Sequence, residues 1–206
     1  MATKTASKPV PAPTEPPRRS ARERLLAAAG ELFYGEGINT VGIDRVIERA
    51  GVAKASLYDA FGSKEELIRC YLAERHDARV ARMDKALARY DTPRDKLLGA
   101  FDSMAEMMAR PDFRGCAFVR AGTEMHSAPK VKAVIDESRA WLRTLFRDLA
   151  EQSGAAHPDA IARQFVILYD GAAVSAQMDG RERIANVRAM AQSLLDADTP
   201  SPRSKR

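Results

Sequence analysis

The sequence of 206 residues contains few of the side chains from which catalytic and metal sites are built. It has three histidines and two cysteines, and neither cysteine lies in a spacing that holds zinc or suggests a disulfide framework. Catalysis needs a nucleophile beside a base, or paired carboxylates, in one pocket. Cys116 and His126 are the one conceivable dyad, and a helix between them would separate them by about 15 Å. We therefore expect no enzymatic activity, no metal site and no cofactor.

Long apolar runs are also missing. No stretch approaches the run of about 18 apolar residues that a membrane helix needs, and the N-terminal segment has no apolar core of the kind found in signal peptides. Apolar residues make up 45% of the chain and charged residues 30%, which is typical of soluble globular proteins. We expect a cytoplasmic protein without membrane contact.

Both ends of the chain lack the bulky apolar residues that could repay the entropy of ordering. Residues 1–17 are rich in proline, and residues 199–206 are short, polar and basic. We predict a disordered arm and a disordered basic tail around a folded body.

Positive charge is concentrated toward the N-terminus. Residues 1–90 carry 16 Lys and Arg against 12 Asp and Glu, whereas residues 91–198 carry 14 against 16. With a net charge of +5, this bias gives weak support to a polyanionic partner such as nucleic acid.

The folded body shows helical periodicity throughout and no alternating strand pattern, so the predicted fold class is all-α. Ser20 with Glu23 and Ser63 with Glu66 have the spacing of capping boxes, and Thr40 is the expected N-cap of the second helix. Gly35 and Gly37 should end the first helix. Nine helices are predicted, at about 20–35, 41–49, 54–61, 63–90, 92–110, 116–125, 130–152, 158–178 and 181–195.

The second and third predicted helices are short and joined by a tight turn at Gly51, an arrangement typical of a helix-turn-helix. Its core should contain Ile43, Ile47, Val52, Leu57 and Phe61. The segment 40–67 resembles the DNA-binding segment of the TetR (tetracycline repressor) family. The residues that carry the resemblance are Phe33, Tyr34, Gly37, Ala50, Gly51, Val52, Leu57, Tyr58, Phe61, Ser63, Lys64, Glu65 and Leu67.

DNA contacts are expected near the start of the third helix, where side chains of a recognition helix meet bases and phosphates. The expected DNA-binding residues are Arg19, Arg22, Thr40, Lys54, Ala55, Ser56, Tyr58, Asp59 and Lys64. The resemblance implies phosphate contacts for Tyr58 and Lys64, while Arg19 and Arg22 either extend the contact or are only solvated. Ala53 departs from the family pattern, because it offers no side-chain cap and costs about 1 kcal/mol.

The resemblance also implies a ligand-binding domain after the DNA-binding one. We predict a helix-turn-helix domain at 18–64 and an effector-binding and dimerisation domain at 65–198. Candidate pocket residues, each of which ordinary core packing explains more readily, are Phe101, Met104, Met108, Phe118, Met125, Trp141, Phe165 and Tyr169. Arg120, Glu124 and His126 are polar candidates, with a surface salt bridge as the alternative.

Small and apolar residues alternate in 161–178, which together with the last helix resembles the four-helix dimer interface of the family. The expected interface residues are Phe165, Leu168, Ala172, Ala176, Val187 and Leu194. A homodimer would place two recognition helices on half-sites about 34 to 36 Å apart, or somewhat more, on palindromic double-stranded DNA.

The predicted function is therefore a homodimeric transcriptional regulator, most often a repressor in this family, that a small-molecule effector releases from its operator. Two alternatives stay open. The protein could bind DNA without an effector, or a protein partner or oxidation of Cys116 could control it.

Overall fold

The computed structural model describes residues 19–125, 127–179 and 186–199. Within these ranges the chain forms nine α-helices and no strand, which confirms the all-α prediction. The helices are α1 (Ala21–Glu36), α2 (Ile43–Ala50), α3 (Lys54–Phe61), α4 (Lys64–Leu87), α5 (Pro93–Met108), α6 (Ala117–Glu124), α7 (Pro129–Gln152), α8 (Pro158–Met178) and α9 (Val187–Asp198). The predicted arm, most of the basic tail, His126 and the predicted start of the last helix lie outside the described residues.

The ends of α1 follow from its sequence. The Ser20 hydroxyl accepts a hydrogen bond from the Glu23 amide at 3.2 Å, and the Glu23 carboxylate accepts one from the Ser20 amide at 2.7 Å. This reciprocal pair confirms the predicted capping box. Gly35 lies inside the helix, and Gly37 alone ends it with a φ of 104°.

Two predicted helix starts need correction. The N-cap of α2 is Gly42, and Thr40 lies before it as an exposed residue without a capping role. At α4, the Ser63 hydroxyl accepts from the Glu66 amide as expected, but the Glu66 carboxylate binds Arg69 and Lys130 instead of the Ser63 amide. Competing cations therefore leave the second capping box half formed. The helix ends at Leu87, three residues before the predicted position.

Two apolar cores lie at opposite ends of α4. The first contains α1 to α3 and the first turns of α4, together with Phe118, Ala121, Val131 and Val134 from α6 and α7. The second contains the last turns of α4 and the helices α5, α7, α8 and α9. Because α4 contributes to both cores, a displacement along it would affect both.

Three phenylalanine rings form the centre of the second core. Phe101, Phe146 and Phe165 are at most 1% exposed, and their ring centres lie 5.2 to 5.7 Å apart. Each such ring contributes roughly 1.5 to 3 kcal/mol through burial. None of the helices in the described part of the chain is long and apolar enough to cross a bilayer.

Candidate nucleic-acid interface

The helix-turn-helix is held together from the inside by apolar side chains. Val46 of α2 and Leu57 of α3 are fully buried, and Phe61 is 6% exposed. Ile43, Ile47 and Val52, predicted for the same core, pack against it while partly exposed. The inner face of α3 is therefore fixed, and its other face is left to solvent.

The turn between α2 and α3 depends on Gly51. Its φ of 62° lies in the left-handed region that favours glycine, and its amide donates to the Glu48 carbonyl at 3.1 Å. The Arg24 guanidinium donates to the Gly51 carbonyl at 3.1 Å. This contact, which the sequence analysis missed, ties α1 to the turn and so positions the start of α3.

The outward face of α3 presents most of the predicted DNA-binding residues to solvent. Lys54, Ala55, Tyr58 and Asp59 are exposed, and Ser56 is half-buried. Tyr58 is 46% exposed, which is unusual for a large aromatic residue in this chain. As expected, no side chain caps the helix at Ala53, so the amides of its first turn have no side-chain partner.

Lys54 is held toward α2. Its ammonium lies 3.0 Å from the Asp44 carboxylate, and this hydrogen bond raises the pKa of Lys54. Both side chains are largely exposed, so the pair is worth little and can exchange for another anion.

Lys64 is the residue whose position differs most from the expectation of a phosphate contact. Its side chain is half-buried, its ammonium donates to the Ile38 carbonyl at 2.9 Å, and burial lowers the pKa of Lys64. In this structure the hydrogen bond connects the start of α4 to the segment after α1. A contact with a phosphate would require this hydrogen bond to be exchanged.

The two predicted arginines near the start of α1, Arg19 before the helix and Arg22 within it, differ in their surroundings. Arg19 is exposed at the described N-terminus. The Arg22 guanidinium lies 5.0 Å from the centre of the Phe61 ring, and one of its nitrogens lies 3.7 Å from the Cys70 sulfur. Two further arginines on α2, Arg45 and Arg49, are paired with glutamates of α1.

The likeness to known proteins agrees with this geometry. Residues 25–69 match the family described as bacterial regulatory proteins, tetR family. Over 172 residues the chain is 33% identical to the transcriptional regulator AcuR of Cereibacter sphaeroides, and the match covers 78% of each chain. The chain belongs to the TetR family.

Solved structures of TetR-family proteins cover nearly the whole fold. A TetR-family transcriptional regulator from Streptomyces coelicolor matches with a TM-score of 0.82 and 30% identity, covering 87% of this chain and 96% of that one. A TetR-type regulator from Streptomyces avermitilis matches with a TM-score of 0.79 and 35% identity, covering 87% and 98%. These matches confirm a DNA-binding transcriptional regulator of the TetR family, and such regulators are not enzymes.

Beyond the DNA-binding segment, this TetR-family chain contains a cavity of about 70 Å³ between α1, α4, α5, α6 and α8. Of the predicted pocket residues, Phe118 and Tyr169 line this cavity. The other predicted pocket residues lie elsewhere: Phe101, Met104, Met108 and Phe165 are inside the second core, Met125 packs on the first core, and Trp141 packs on the second. Apolar residues at helical spacing mark a buried face, and the spacing does not distinguish a packed core from a cavity wall.

The charged residues of the cavity were missed altogether. Arg75, Arg79 and Arg82 line it from one face of α4. Their spacing of four and three residues was visible in the sequence, but charges at helical spacing usually mark a solvated face.

Two of the predicted polar pocket residues connect α6 to the DNA-binding domain instead of lining the cavity. The Arg120 guanidinium donates to the Tyr34 carbonyl at 2.7 Å. The Glu124 carboxylate accepts from the Asn39 amide at 2.8 Å, and its carbonyl accepts from the Asn39 side chain at 3.1 Å. These contacts attach the end of α1 and the residues after it to α6.

The surface formed by α8 and α9 carries apolar residues that face solvent. Ile167 is 72% exposed, Val174 41%, Met178 78% and Met190 54%. Ile167, Gly171, Val174 and Met178 are spaced four, three and four residues apart and so lie along one face of α8. Together with Met190 they form what we call the apolar stripe.

Most of the predicted interface residues are not at the surface. Phe165, Ala172, Ala176 and Val187 are buried in the second core of their own chain, so a partner cannot contact them as surface residues. Leu168 and Leu194 are partly buried. Because α8 is apolar on both sides, its sequence does not show which side faces solvent.

Proposed function

We propose that this TetR-family regulator binds a palindromic operator as a homodimer and that a small molecule in the cavity releases it. The observation that carries the proposal is the outward face of α3, where Lys54, Ala55, Tyr58 and Asp59 are exposed on a short helix fixed from behind by Leu57 and Phe61. A helix presented in this way can enter the major groove.

The DNA-binding part comprises residues 18–64, and α3 supplies the base contacts. Arg19, Arg22, Thr40, Lys54, Ala55, Ser56, Tyr58, Asp59 and Lys64 are the proposed contact residues. Thr40 retains this role as an exposed residue near the N-terminus of α2, although it does not cap that helix. Phosphate binding there would use the amides of the first turn of α2.

The homodimer is proposed to form through the apolar stripe. The exposed apolar side chains of Ile167, Val174 and Met178 on α8 and of Met190 on α9 are unfavourable in water, and exposed apolar patches commonly mark interaction surfaces. Gly171 in the middle of the row allows a partner helix to approach closely, since a side chain there would meet nothing within its own chain. Residues 65–198 therefore serve both effector binding and dimerisation.

Release by an effector is proposed to act through Tyr34. This residue belongs to α1 and lines the cavity. Its hydroxyl donates to the Gly115 carbonyl at 3.2 Å and accepts from the Arg114 amide at 3.0 Å. A ligand that displaces Tyr34 would move α1, and with it the Arg24 contact that positions the start of α3.

The test is selection of bound sequences from random duplex DNA with purified protein, followed by affinity measurements against salt for the recovered sequence. We expect a palindrome, and we expect Tyr58→Phe to weaken binding. Lys64→Ala should weaken it and flatten the salt slope by about one unit, while Lys85→Ala, an exposed lysine far along α4, should change neither. Failure to enrich any sequence at moderate salt would overturn the proposal.

A thiol-controlled regulator is the second candidate, because Cys116 lines the cavity as a free, partly exposed cysteine. In that case N-ethylmaleimide would abolish operator binding by the wild type and by Cys70→Ser, but not by Cys116→Ser. Operator binding by the wild type that survives alkylation would exclude this candidate.

A further inference from the structure

The cavity wall formed by α4 carries three guanidinium groups side by side. Arg75, Arg79 and Arg82 line the same cavity of about 70 Å³, and Arg79 is only 7% exposed. Like charges this close repel one another, and a buried charge is unfavourable unless an anion pairs with it. What pairs with these three groups is therefore a question about the function of the cavity.

Among the described residues, Arg79 has aromatic and hydroxyl contacts but no anionic partner. Its guanidinium carbon lies 5.2 to 5.7 Å from the ring centres of Phe118, Trp141 and Tyr169, and one nitrogen donates to the Ser138 hydroxyl at 3.2 Å. A guanidinium has five N–H donors, so several remain for a ligand. The rings hold the group in place without neutralising it.

Arg75 and Arg82, like Arg79, have no carboxylate partner among the described residues. The Arg75 guanidinium lies 4.0 Å from the centre of the Tyr34 ring and 5.6 Å from the centre of the Tyr71 ring. Burial lowers the pKa of Arg82, and the positive charges of Arg79 and Arg75 lower it further. Within residues 19–125, 127–179 and 186–199, no carboxylate forms a salt bridge with any of the three arginines.

The carboxylates close to the cavity are already used by other cations. Asp170 is the one acidic residue among the described residues that line it, and its carboxylate accepts from Arg139 at 2.7 Å. The pKa of Asp112 is lowered mainly by its hydrogen bond with Arg110, at 2.9 Å, and to a smaller degree by the charge of Arg75. The Asp112 carboxylate is therefore already paired with a cation outside the cavity lining. Excess positive charge thus remains on one wall of the cavity.

Other parts of the wall are apolar. Phe118 and Ala173 line the cavity without a side-chain hydrogen-bond donor or acceptor, and Met107 adds only a weakly accepting thioether. A ligand that suits both walls has a compact anionic group at one end and a short apolar body at the other. A cavity of about 70 Å³ favours a compact ligand over a drug-sized molecule.

We propose that the cavity binds a small organic carboxylate, with its carboxylate group on Arg79 and Arg82 and its apolar body against Met107, Phe118 and Ala173. Arginine suits this role because its planar fork binds both oxygens of a carboxylate. The inference rests on the proposed effector control, and it specifies the chemical class of the effector.

Trp141, the single tryptophan of the chain, provides the readout because its ring centre lies 5.7 Å from the Arg79 guanidinium. The full-length protein is titrated at constant ionic strength with acetate, propionate, butyrate, hexanoate and benzoate, with the corresponding amides, and with inorganic phosphate. Tryptophan fluorescence and the thermal midpoint of unfolding are followed. We expect saturable binding of at least one carboxylate, with its amide at least about tenfold weaker.

Arg82→Gln tests the arginine without removing the buried packing of Arg79. It should weaken carboxylate binding at least about tenfold and leave the weak binding of the amide unchanged, and Arg82→Lys should restore part of the affinity. Arg143→Gln, an exposed arginine of α7 outside the cavity lining, is the matched control and should have no effect.

Equal affinity for acid and amide would overturn the proposal, as would carboxylate binding that Arg82→Gln leaves intact. Binding of phosphate alone, or no saturable binding of any carboxylate in the series, would also overturn it. Operator binding is measured in parallel with the same ligands. A carboxylate that binds without releasing DNA would contradict the proposed effector control while leaving the ligand class correct.

Discussion

Arginine side chains have opposite surroundings in two regions of this molecule, the helix-turn-helix and the cavity. At the helix-turn-helix, Arg45 and Arg49 are exposed and each is paired with a glutamate of α1. At the cavity, Arg79 is buried and contacts rings and a hydroxyl but no carboxylate of the described chain.

Ion pairs exposed to water contribute little to the free energy of unfolding, so their loss is tolerated. A buried charge without an anion lowers that free energy, so its presence calls for an explanation. This difference indicates that the DNA-binding end owes its stability mainly to its apolar interior. At the cavity, the charge of Arg79 has no carboxylate partner among the described residues, and this is the basis of the proposed ligand site. Four substitutions test this contrast, from the largest expected effect to the smallest.

Leu57→Ala should show that apolar burial holds the DNA-binding end. Leu57 is fully buried behind α3, so the substitution should lower the free energy of unfolding by about 2 to 5 kcal/mol, measured by urea denaturation. Tyr58→Ala, its exposed neighbour, is the control and should change stability by less than about 0.5 kcal/mol. Equal losses for both would mean that α3 is not held from its inner face.

Gly51→Ala tests the turn that presents α3. A left-handed φ of 62° is unfavourable for alanine, so we expect a loss of about 1 to 2 kcal/mol in thermal or urea unfolding. Gly122→Ala provides the matched control, since Gly122 lies within α6 with nothing within 4 Å of the added carbon. That change should be neutral or stabilising by up to about 1 kcal/mol. The account of the turn fails if the two variants change stability alike.

Arg79→Met tests most sharply whether the arginines of the two regions differ in their contribution to stability. It keeps much of the side-chain volume, loses the contacts of the guanidinium with three rings, and removes a desolvated charge. Because these effects oppose each other, the ligand-free protein should change by less than about 1 kcal/mol. A loss as large as that of Leu57→Ala would make Arg79 a structural residue instead of one held for a ligand.

Arg49→Gln should have the smallest effect. The Arg49 guanidinium and the Glu31 carboxylate lie 2.6 Å apart, but both side chains are more than half exposed. We expect a change below about 0.5 kcal/mol, shrinking further as salt is added. A larger loss that resists salt would show that surface pairs hold the DNA-binding end, contrary to the account above.

The same contrast explains which features could be predicted from the sequence. The bounds of α3 were predicted correctly at both ends, because Gly51 closes the preceding turn and Gly62 stops the helix. The apolar residues of α1 and α3 alternate with polar ones at helical spacing, so their buried faces were also predictable. The resemblance to the TetR family then supplied the role of the exposed face.

The parts that could not be predicted depend on which neighbour a helix meets. On α8, Phe165 and Ala172 point inward while Ile167 and Met178 point outward, and all four are apolar or small. On α4, the arginines of the cavity have the spacing of an ordinary solvated face. At Thr40, a good capping residue lies close to the helix start, but the backbone becomes helical only after Gly42. Tertiary packing decides each of these cases, and the local sequence pattern carries no information about that packing.

The most direct test of the central claim is the affinity of the purified protein for its selected palindrome and for a scrambled duplex of the same length, with wild type, Lys54→Gln and Lys85→Gln. If the exposed face of α3 reads an operator as part of a dimer, two chains will bind per duplex, and the palindrome will bind at least about 10³-fold more tightly. Lys54→Gln will weaken binding and reduce the salt slope by about one unit, while Lys85→Gln will not. Equal affinity for the two duplexes, or binding that Lys54→Gln leaves unchanged, would contradict the account.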